Sequence, residues 1–196
     1  MRAVTLCLLR RGAGDAAEVC LGWKKIGFGA GKWAGIGGKV DVTAGETVAD
    51  AARRELREEI LVDAEDLIKV AVLTFSFKHE PTLNMQAHVY LVWDWRGRPS
   101  ETAEMRPCWF TLDAVPYDGM WDDAKHWLPR VLAGERLCAH FTYSDEHALE
   151  GVTIKPLPPG KLRNEPKHAQ VGPTASTDRV NAARAGCSER SLTILP

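Results

Sequence analysis

Residues 37 to 62 read GGKVDVTAGETVADAARRELREEILV and contain the most informative sequence pattern of the chain. Thr47 can cap a helix by accepting a hydrogen bond from the amide three residues on, and Asp50 stands where a capping box places an acid. Apolar residues then recur every four positions, at Val48, Ala52, Leu56 and Ile60. We therefore predict an amphipathic helix that follows Thr47 and buries this stripe.

Three glutamates of this helix, Glu55, Glu58 and Glu59, fall within an arc of about 100° on one side. Like charges at this spacing destabilise a helix by tenths of a kcal/mol per pair, so the arrangement indicates a cation among them. Magnesium suits the site because it is held by a few carboxylates together with substrate phosphates. Three glutamates alone favour the alternative, a solvated face paired with the arginines of the same helix.

The spacing E-x7-R-E-L-x-E-E, from Glu46 to Glu59 and directly behind Gly37 and Gly38, closely resembles the signature of the Nudix family. The resemblance implies an α/β fold, namely an α/β/α sandwich with a central mixed sheet and a catalytic loop-helix-loop. It also implies an enzyme that cuts a nucleoside triphosphate into a monophosphate and pyrophosphate. The implied cofactor is magnesium, with manganese as the alternative.

The resemblance also implies a role for each polar residue of the motif. The glutamates would bind the metal, and a glycine would add its backbone carbonyl, which gives the ligand set Gly37, Glu55, Glu58 and Glu59. An arginine would orient these glutamates, so Glu58, Glu59, Arg54 and Glu46 are also the candidate catalytic residues.

The motif departs from the family pattern at two places. Seven residues separate Gly38 from Glu46 where the family has five, which predicts a loop that bulges before the helix. Leu61 stands where the family ends the motif with glycine. If that position keeps a positive φ, a branched residue there costs about 1 kcal/mol.

Outside the motif the likeness narrows to the MutT-type branch, which hydrolyses oxidised purine nucleoside triphosphates such as 8-oxo-dGTP. It is carried by WKKIGFGAGKWAGIGGKV (23–40), EMRPCWF (104–110) and MWDD (120–123). It implies that Glu104 completes the metal site or assists the attacking water. It also implies a set of substrate-binding residues, which comprises Thr5, Lys24, Phe28, Phe75, Met85, Trp121, Asp122 and Asp123.

The departures from this branch fall on base recognition. Ala34 replaces an asparagine, and ungapped matching puts Ala124 in place of a second aspartate, although a shift of one residue would give the two acidic roles to Asp122 and Asp123. Each base-edge hydrogen bond lost from a buried site costs about 1 to 3 kcal/mol. The preferred base therefore stays open at this point. Phe75 and Met85 could equally be plain core residues.

The rest of the chain predicts strands at 3–9, 18–23, 68–77, 85–95, 108–110 and 136–144. A second helix should follow Trp121, capped by Asp122 or Asp123, and Pro129 should kink it or end its first part. We place the catalytic domain at residues 1–156. Residues 157–196 are rich in proline, glycine, alanine and serine, which predicts a disordered tail.

Composition limits the partners of the protein. With 25 Lys and Arg against 26 Asp and Glu, the chain has no global basic field that could hold duplex nucleic acid. Five cysteines without a CxxC pair predict a reduced, cytoplasmic protein. The chain contains no run of 18 apolar residues, so we predict no membrane span. We expect a monomer whose partner is a small nucleotide.

Two other functions remain open at the level of sequence. The same chemistry could act on another nucleoside diphosphate linked to a different group, since Ala34 and Ala124 weaken the case for one base. The irregular motif and the long tail also fit a non-catalytic nucleotide sensor. Intact metal ligands weigh against the sensor.

Overall fold

The computed structural model describes residues 1–144 and 148–158. The strands are β1 (Arg2–Arg11), β2 (Glu18–Lys24), β3 (Trp33–Ala34), β4 (Asp63–Ala64), β5 (Ile68–Phe77), β6 (Met85–Val92), β7 (Trp95–Arg96), β8 (Met105–Thr111), β9 (Leu137–Tyr143) and β10 (Leu149–Pro156). The two α-helices are α1 (Val48–Ile60) and α2 (Ala124–Leu132).

Eight of these strands form one mixed sheet. Its order is β10-β9-β5-β6-β1-β2-β3, with β8 also paired to β2, while β4 and β7 pair separately. The β1–β6 and β5–β9 pairs are parallel and the other pairs are antiparallel. Parallel pairing of β1 with β6 places residues more than 80 positions apart in direct register, for example Thr5 with His88.

The sheet is covered by one helix on each face. On one side Trp127, Leu128 and Val131 of α2 join the larger core cluster, which includes Leu8 and Phe141 of the sheet. On the other side the buried stripe of α1 packs in a second cluster that contains Cys7, Leu9 and Tyr90. This three-layer arrangement confirms the predicted α/β/α sandwich with a mixed sheet.

Helix α1 begins and packs as its sequence predicts. The Thr47 hydroxyl oxygen accepts a hydrogen bond from the Asp50 amide at 3.1 Å, and it donates one to the Asp50 carboxylate at 2.6 Å. Ala52, Leu56 and Ile60 are fully buried, and Val48 packs against the same cluster. The cap and the apolar stripe together fix which face of α1 carries the glutamates.

Both departures from the family motif are visible in the backbone. The longer loop turns on Asp41, whose carboxylate accepts hydrogen bonds from the amides of Thr43 and Ala44 at 3.0 and 3.1 Å. Leu61 follows α1 with φ 62° and ψ 37°, and its amide and that of Val62 bond back to the carbonyls of Arg57 and Leu56. The left-handed conformation expected of glycine is thus kept by a leucine.

Three sequence-based expectations need correction. Strand 85–95 is not continuous, because β6 ends at Val92 and β7 pairs with β4. Helix α2 continues through Pro129 to Leu132, so the alternative in which the proline ends the helix is wrong; Leu128 and Val131 on either side of it are buried in the core. Asp123 precedes α2, yet its side chain does not cap the helix. Strand β10 was not predicted at all.

The predicted tail falls largely outside the described residues, which end at Pro158. Leu157 is buried, and its amide donates to the Arg136 carbonyl at 3.0 Å, so the packed chain continues past Pro156. Within the described part of the chain, neither helix is long and apolar enough to cross a membrane.

The Leu61 conformation predicts a stabilising substitution. Leu61→Gly should raise the free energy of unfolding by about 1 kcal/mol, because glycine adopts the left-handed region without a Cβ clash. Leu61 is 58% exposed, so little apolar burial is lost. Thermal unfolding should show a rise in Tm of about 2–4 °C.

Leu61→Ala is the matched control, since alanine removes the same exposed side chain but keeps a Cβ. It should give no comparable gain. An increase in stability with alanine as large as that with glycine would show that backbone strain at Leu61 is not the cause.

Candidate active site

One cavity of about 490 Å³ opens beside the glutamate face of α1. Its walls come from the first half of β1, from β5 and β6, from the start of α2 and from the loop after β2. Eleven residues of the predicted site line it, namely Thr5, Lys24, Phe28, Gly37, Glu55, Glu59, Phe75, Met85, Glu104, Trp121 and Asp123. The fold therefore gathers residues from separate segments of the chain into one site.

Arg54 ties the acidic residues of the motif together. Its guanidinium donates to Glu46 at 2.8 and 3.1 Å, to Glu55 at 2.9 Å and to Glu58 at 2.8 Å. It also donates to the Lys39 carbonyl at 2.9 Å. These carboxylates raise the pKa of Arg54, with Glu46 as the largest cause, and Arg54 in turn lowers the pKa of Glu46. The predicted orienting role of Arg54 and Glu46 agrees with these contacts.

Glu59 is the buried carboxylate of the site, with a side chain that is 3% exposed. One of its oxygens accepts a hydrogen bond from the Gly37 amide at 2.8 Å, and the other lies 3.3 Å from the Lys24 ammonium. Burial raises the pKa of Glu59 to about 7, although Lys24 and Gly37 oppose the shift. A further cation bound beside Glu59 would therefore stabilise its ionised form.

Glu55 lies against the backbone of Gly38. A Cβ at residue 38 would fall 2.5 to 2.6 Å from the Glu55 carboxylate, so that carboxylate would have to move to admit any other residue. Burial also raises the pKa of Glu55, while its hydrogen bond from Arg54 opposes the rise. The glycine at residue 38 thus lets the Glu55 carboxylate lie directly against the loop.

Four predicted residues are not part of the cavity wall, namely Glu46, Arg54, Glu58 and Asp122. Glu58 has a side chain that is 58% exposed and is held by Arg54, and Asp122 is also mostly exposed, 4.0 Å from Lys125. Within residues 1–144 and 148–158, no three His, Cys, Asp or Glu side chains already form a group that could hold a metal ion. Glu55, Glu59 and Glu104 nonetheless all line the cavity, and the Thr102 hydroxyl bonds to the backbones of both Glu59 and Glu104 at what we call its acidic end.

The opposite end of the cavity is aromatic. Phe28 stacks on Trp121 with ring centroids 5.3 Å apart and an angle of 16° between planes. Beside them Asp123 is buried, and its carboxylate accepts hydrogen bonds from Trp127 Nε1 at 2.8 Å and from the Tyr143 hydroxyl at 2.5 Å. Burial raises the pKa of Asp123 despite these two donors. This end offers a flat stacking surface with one buried acid.

Comparison with known proteins assigns the family. The model of the NUDIX domain matches residues 1–131, which is most of the part that carries the cavity. The chain belongs to the Nudix family. It is 41% identical to a mouse oxidized purine nucleoside triphosphate hydrolase over 138 residues, which are 70% of this chain and 86% of the mouse protein. The zebrafish protein of the same name is 42% identical over 140 residues, or 69% of this chain and 88% of its own length.

A solved structure supports the fold of this Nudix domain. The MutT protein of Bacillus halodurans superposes with a TM-score of 0.67 at 22% identity, over 81% of this chain and all of that protein. At that level of identity the likeness concerns the fold alone. It confirms the expectation that the glycine loop and acidic helix form the loop-helix-loop of a Nudix fold.

The donor chemistry of the Nudix motif fits a hard divalent cation. Glu55 and Glu59 both line the cavity, and burial raises the pKa of both, so a cation bound beside them would favour their ionised forms. Nudix hydrolases generally use divalent metals, and oxygen ligands suit magnesium or manganese.

Sequence analysis missed several residues that support this site. Trp127 stands four residues after Asp123, a spacing that places both on one helix face and could have indicated their contact. Tyr143 lies 20 residues away on β9, and no local sequence pattern predicts its hydrogen bond to Asp123. The contact of Gly38 with Glu55 also depends on how the loop folds over α1.

The raised pKa of Glu59 predicts a pH-dependent stability. The folded protein holds this proton more tightly than the unfolded chain, so the stabilising contribution is present below about pH 4.5 and is lost as pH rises through about 7. In metal-free buffer, the free energy of unfolding of the wild type relative to Glu59→Gln should fall by up to about 3 kcal/mol between pH 5 and pH 8. Urea denaturation at several pH values measures this difference.

Glu58→Gln serves as the control, because it removes the same charge from an exposed position of the same helix. Its stability relative to the wild type should change little over this pH range. A flat difference for Glu59→Gln would mean that Glu59 is not protonated near neutral pH.

Proposed function

We propose that this protein hydrolyses oxidised purine nucleoside triphosphates, such as 8-oxo-dGTP, to the monophosphate and pyrophosphate, and so removes them from the nucleotide pool. One observation carries the proposal: a single cavity joins the carboxylates of Glu55, Glu59 and Glu104 to the aromatic pocket of Phe28 and Trp121. The two vertebrate relatives are named for this activity.

The cavity suits a nucleotide that spans it from end to end. A purine base can stack on Trp121 or Phe28 while the buried Asp123 carboxyl contacts its edge. The triphosphate would then extend toward Lys24 and the acidic end. An apolar pocket with a few convergent polar groups is the usual form of a small-molecule site.

Magnesium, or manganese in its place, is the cofactor that we propose for the acidic end. Glu55, Glu59 and Glu104 would hold it together with the carbonyl of Gly37, and Glu58 would join them if it turned from Arg54. When bound, the ion would neutralise phosphate charge and make an attacking water more acidic. Arg54 would continue to hold Glu46 and so keep that carboxylate apart from the metal ligands.

The protein residues have distinct tasks in the hydrolysis. A water oxygen forms a new bond to phosphorus as the bond between phosphorus and the leaving pyrophosphate oxygen breaks. Glu104 lies at the acidic end and would accept the proton of that water. Lys24, held beside Glu59, would contact the phosphate chain and help to orient it. Trp121 and Asp123 would fix the base.

A second candidate function keeps the chemistry but changes the substrate to another nucleoside diphosphate derivative. It is favoured by Ala34 and Ala124, which both line the cavity and offer no side-chain hydrogen bond to a base. Asp123 is then the acid that reads the base edge, whereas Asp122 lies outside the cavity wall. Fewer polar contacts at the base should allow a broader range of substrates.

A substrate panel tests both functions. Pyrophosphate release should be fastest with 8-oxo-dGTP or another oxidised purine triphosphate, and it should require added magnesium or manganese. ADP-ribose and dinucleotide polyphosphates should react at least tenfold more slowly. Faster turnover of those two would favour the second candidate, and no turnover of any compound would reject both.

Replacement of Glu58 distinguishes an enzyme from a nucleotide sensor. Glu58→Gln should lower kcat by about two orders of magnitude or more, because it removes a proposed metal ligand and one partner of Arg54. Nucleotide binding should change far less, which isothermal titration calorimetry can measure.

Glu18→Gln is the matched control for this variant. It also removes a carboxylate that binds an arginine, in this case Arg11 at 2.6 Å on the surface, and it lies outside the cavity wall. Its kcat should stay within about twofold of the wild type, since exposed ion pairs contribute little. Equal losses in the two variants would argue against a catalytic role for Glu58.

The remaining expectations from the sequence stand as proposals. The partner is a small-molecule nucleotide, with no role for duplex nucleic acid or a membrane, and the protein is a cytoplasmic monomer. The near-zero net charge and the free cysteines Cys7, Cys20, Cys108 and Cys138 support this proposal. Sedimentation at micromolar concentration would test the monomer.

A further inference from the structure

A four-residue turn carries Glu104 to the cavity. The turn spans residues 102–105, with backbone bends at 103 and 104, and is closed by the Thr102 amide, which donates to the Met105 carbonyl at 2.9 Å. Glu104 is exposed on this turn, so its position depends on how the backbone beneath it is held. The hydroxyl of Thr102 is central to that anchoring.

The Thr102 hydroxyl makes three hydrogen bonds at once. Its oxygen accepts from the amides of Glu104 at 3.3 Å and Met105 at 3.2 Å. Its proton is donated to the backbone carbonyl of Glu59 at 2.9 Å. A hydroxyl has one donor and two acceptor sites, and all three are used here.

This hydroxyl therefore joins two acids that are 45 residues apart in the chain. On one side it holds the amide of Glu104 itself, and on the other it holds the backbone of Glu59 at the end of α1. Further bonds support the same turn: the Ser100 amide donates to the Ile60 carbonyl, and the Lys25 amide donates to the Glu104 carbonyl. The Lys25 ammonium also binds the Thr102 carbonyl at 2.6 Å.

We propose that Thr102 is a positioning residue for hydrolysis, because its hydroxyl sets where Glu104 stands relative to Glu59. This inference rests on the proposed function, in which Glu104 acts on the attacking water or on the metal. The simpler interpretation is that Thr102 only stabilises a surface turn. The two interpretations differ in whether loss of Thr102 matters once Glu104 has been removed.

The experiment compares Thr102→Val, Thr102→Ser, Glu104→Gln and the double variant Thr102→Val with Glu104→Gln. Valine keeps the shape and removes the hydroxyl, so kcat for 8-oxo-dGTP should fall about tenfold with KM within about twofold. Serine keeps the hydroxyl and should restore kcat to within about twofold of the wild type. The double variant should be no slower than Glu104→Gln alone, because both changes remove the same function.

A second measurement does not depend on activity. Hydrogen exchange of the Glu104 and Met105 amides should be faster in Thr102→Val and unchanged in Thr102→Ser, because only valine removes their acceptor. Ser100→Ala is the matched control, since it removes a hydroxyl that bonds only to the Arg98 carbonyl in the same loop. It should leave both kcat and these exchange rates near the wild-type values. Thr102→Ala replaces the valine variant if that one does not fold.

Several outcomes would overturn the inference. These are a Thr102→Val enzyme with wild-type kcat, losses that multiply in the double variant, or exchange rates that do not change. A Glu104→Gln enzyme as fast as the wild type would also overturn the inference. In that case the wild-type protein would still hydrolyse the triphosphate, so the proposed function would stand. A wild-type protein that hydrolyses no triphosphate would instead remove the proposed function itself.

Discussion

The hydrogen bonds of Arg54 hold the acidic helix together. Without a cation, several carboxylates at i, i+3 and i+4 positions would repel one another, and α1 would lose stability at the turn where the chemistry is placed. Arg54 binds two of them, Glu55 and Glu58, and also Glu46 and the Lys39 carbonyl, so it fixes the preceding loop against the helix at the same time. It does not touch Glu59, whose charge is left to Lys24 and the cavity. The fold thus divides these acidic residues into those that Arg54 binds and Glu59, which pairs with Lys24 instead.

The scaffold explains why this division can persist. Helix α1 is fixed by its apolar stripe on one face of the sheet, and α2 is fixed on the other face, with the cavity between the glycine loop and the start of α2. Asp123 is held by Tyr143 of the sheet and by Trp127 of its own helix. Both ends of the cavity therefore stand on buried, hydrogen-bonded elements, and such support gives a site its fixed geometry.

Local patterns in the sequence predicted the elements that depend on neighbouring residues. The cap at Thr47, the stripe of α1, the loop that bulges at Asp41 and the left-handed Leu61 all follow from spacing within a few residues. Those patterns could not show that Glu58 would face Arg54 away from the cavity, or that Asp122 would be exposed beside a buried Asp123. The burial of Asp123 depends on Tyr143 of β9, 20 residues away, whereas the Glu58–Arg54 pair forms within α1. The local sequence patterns also missed β10, because this edge strand has mostly exposed side chains and therefore little hydrophobic alternation.

The parallel pairing of β1 with β6 has a consequence for biosynthesis. The catalytic helix is complete at Ile60, but β1 gains its second neighbour only when β6 has been made, and Asp123 gains its hydroxyl partner only with β9. Contacts this distant in sequence form late and slowly. A nascent chain emerging from the ribosome therefore exposes its acidic helix well before the cavity has formed. Nucleotide binding can stabilise the folded state only after β9 has been translated.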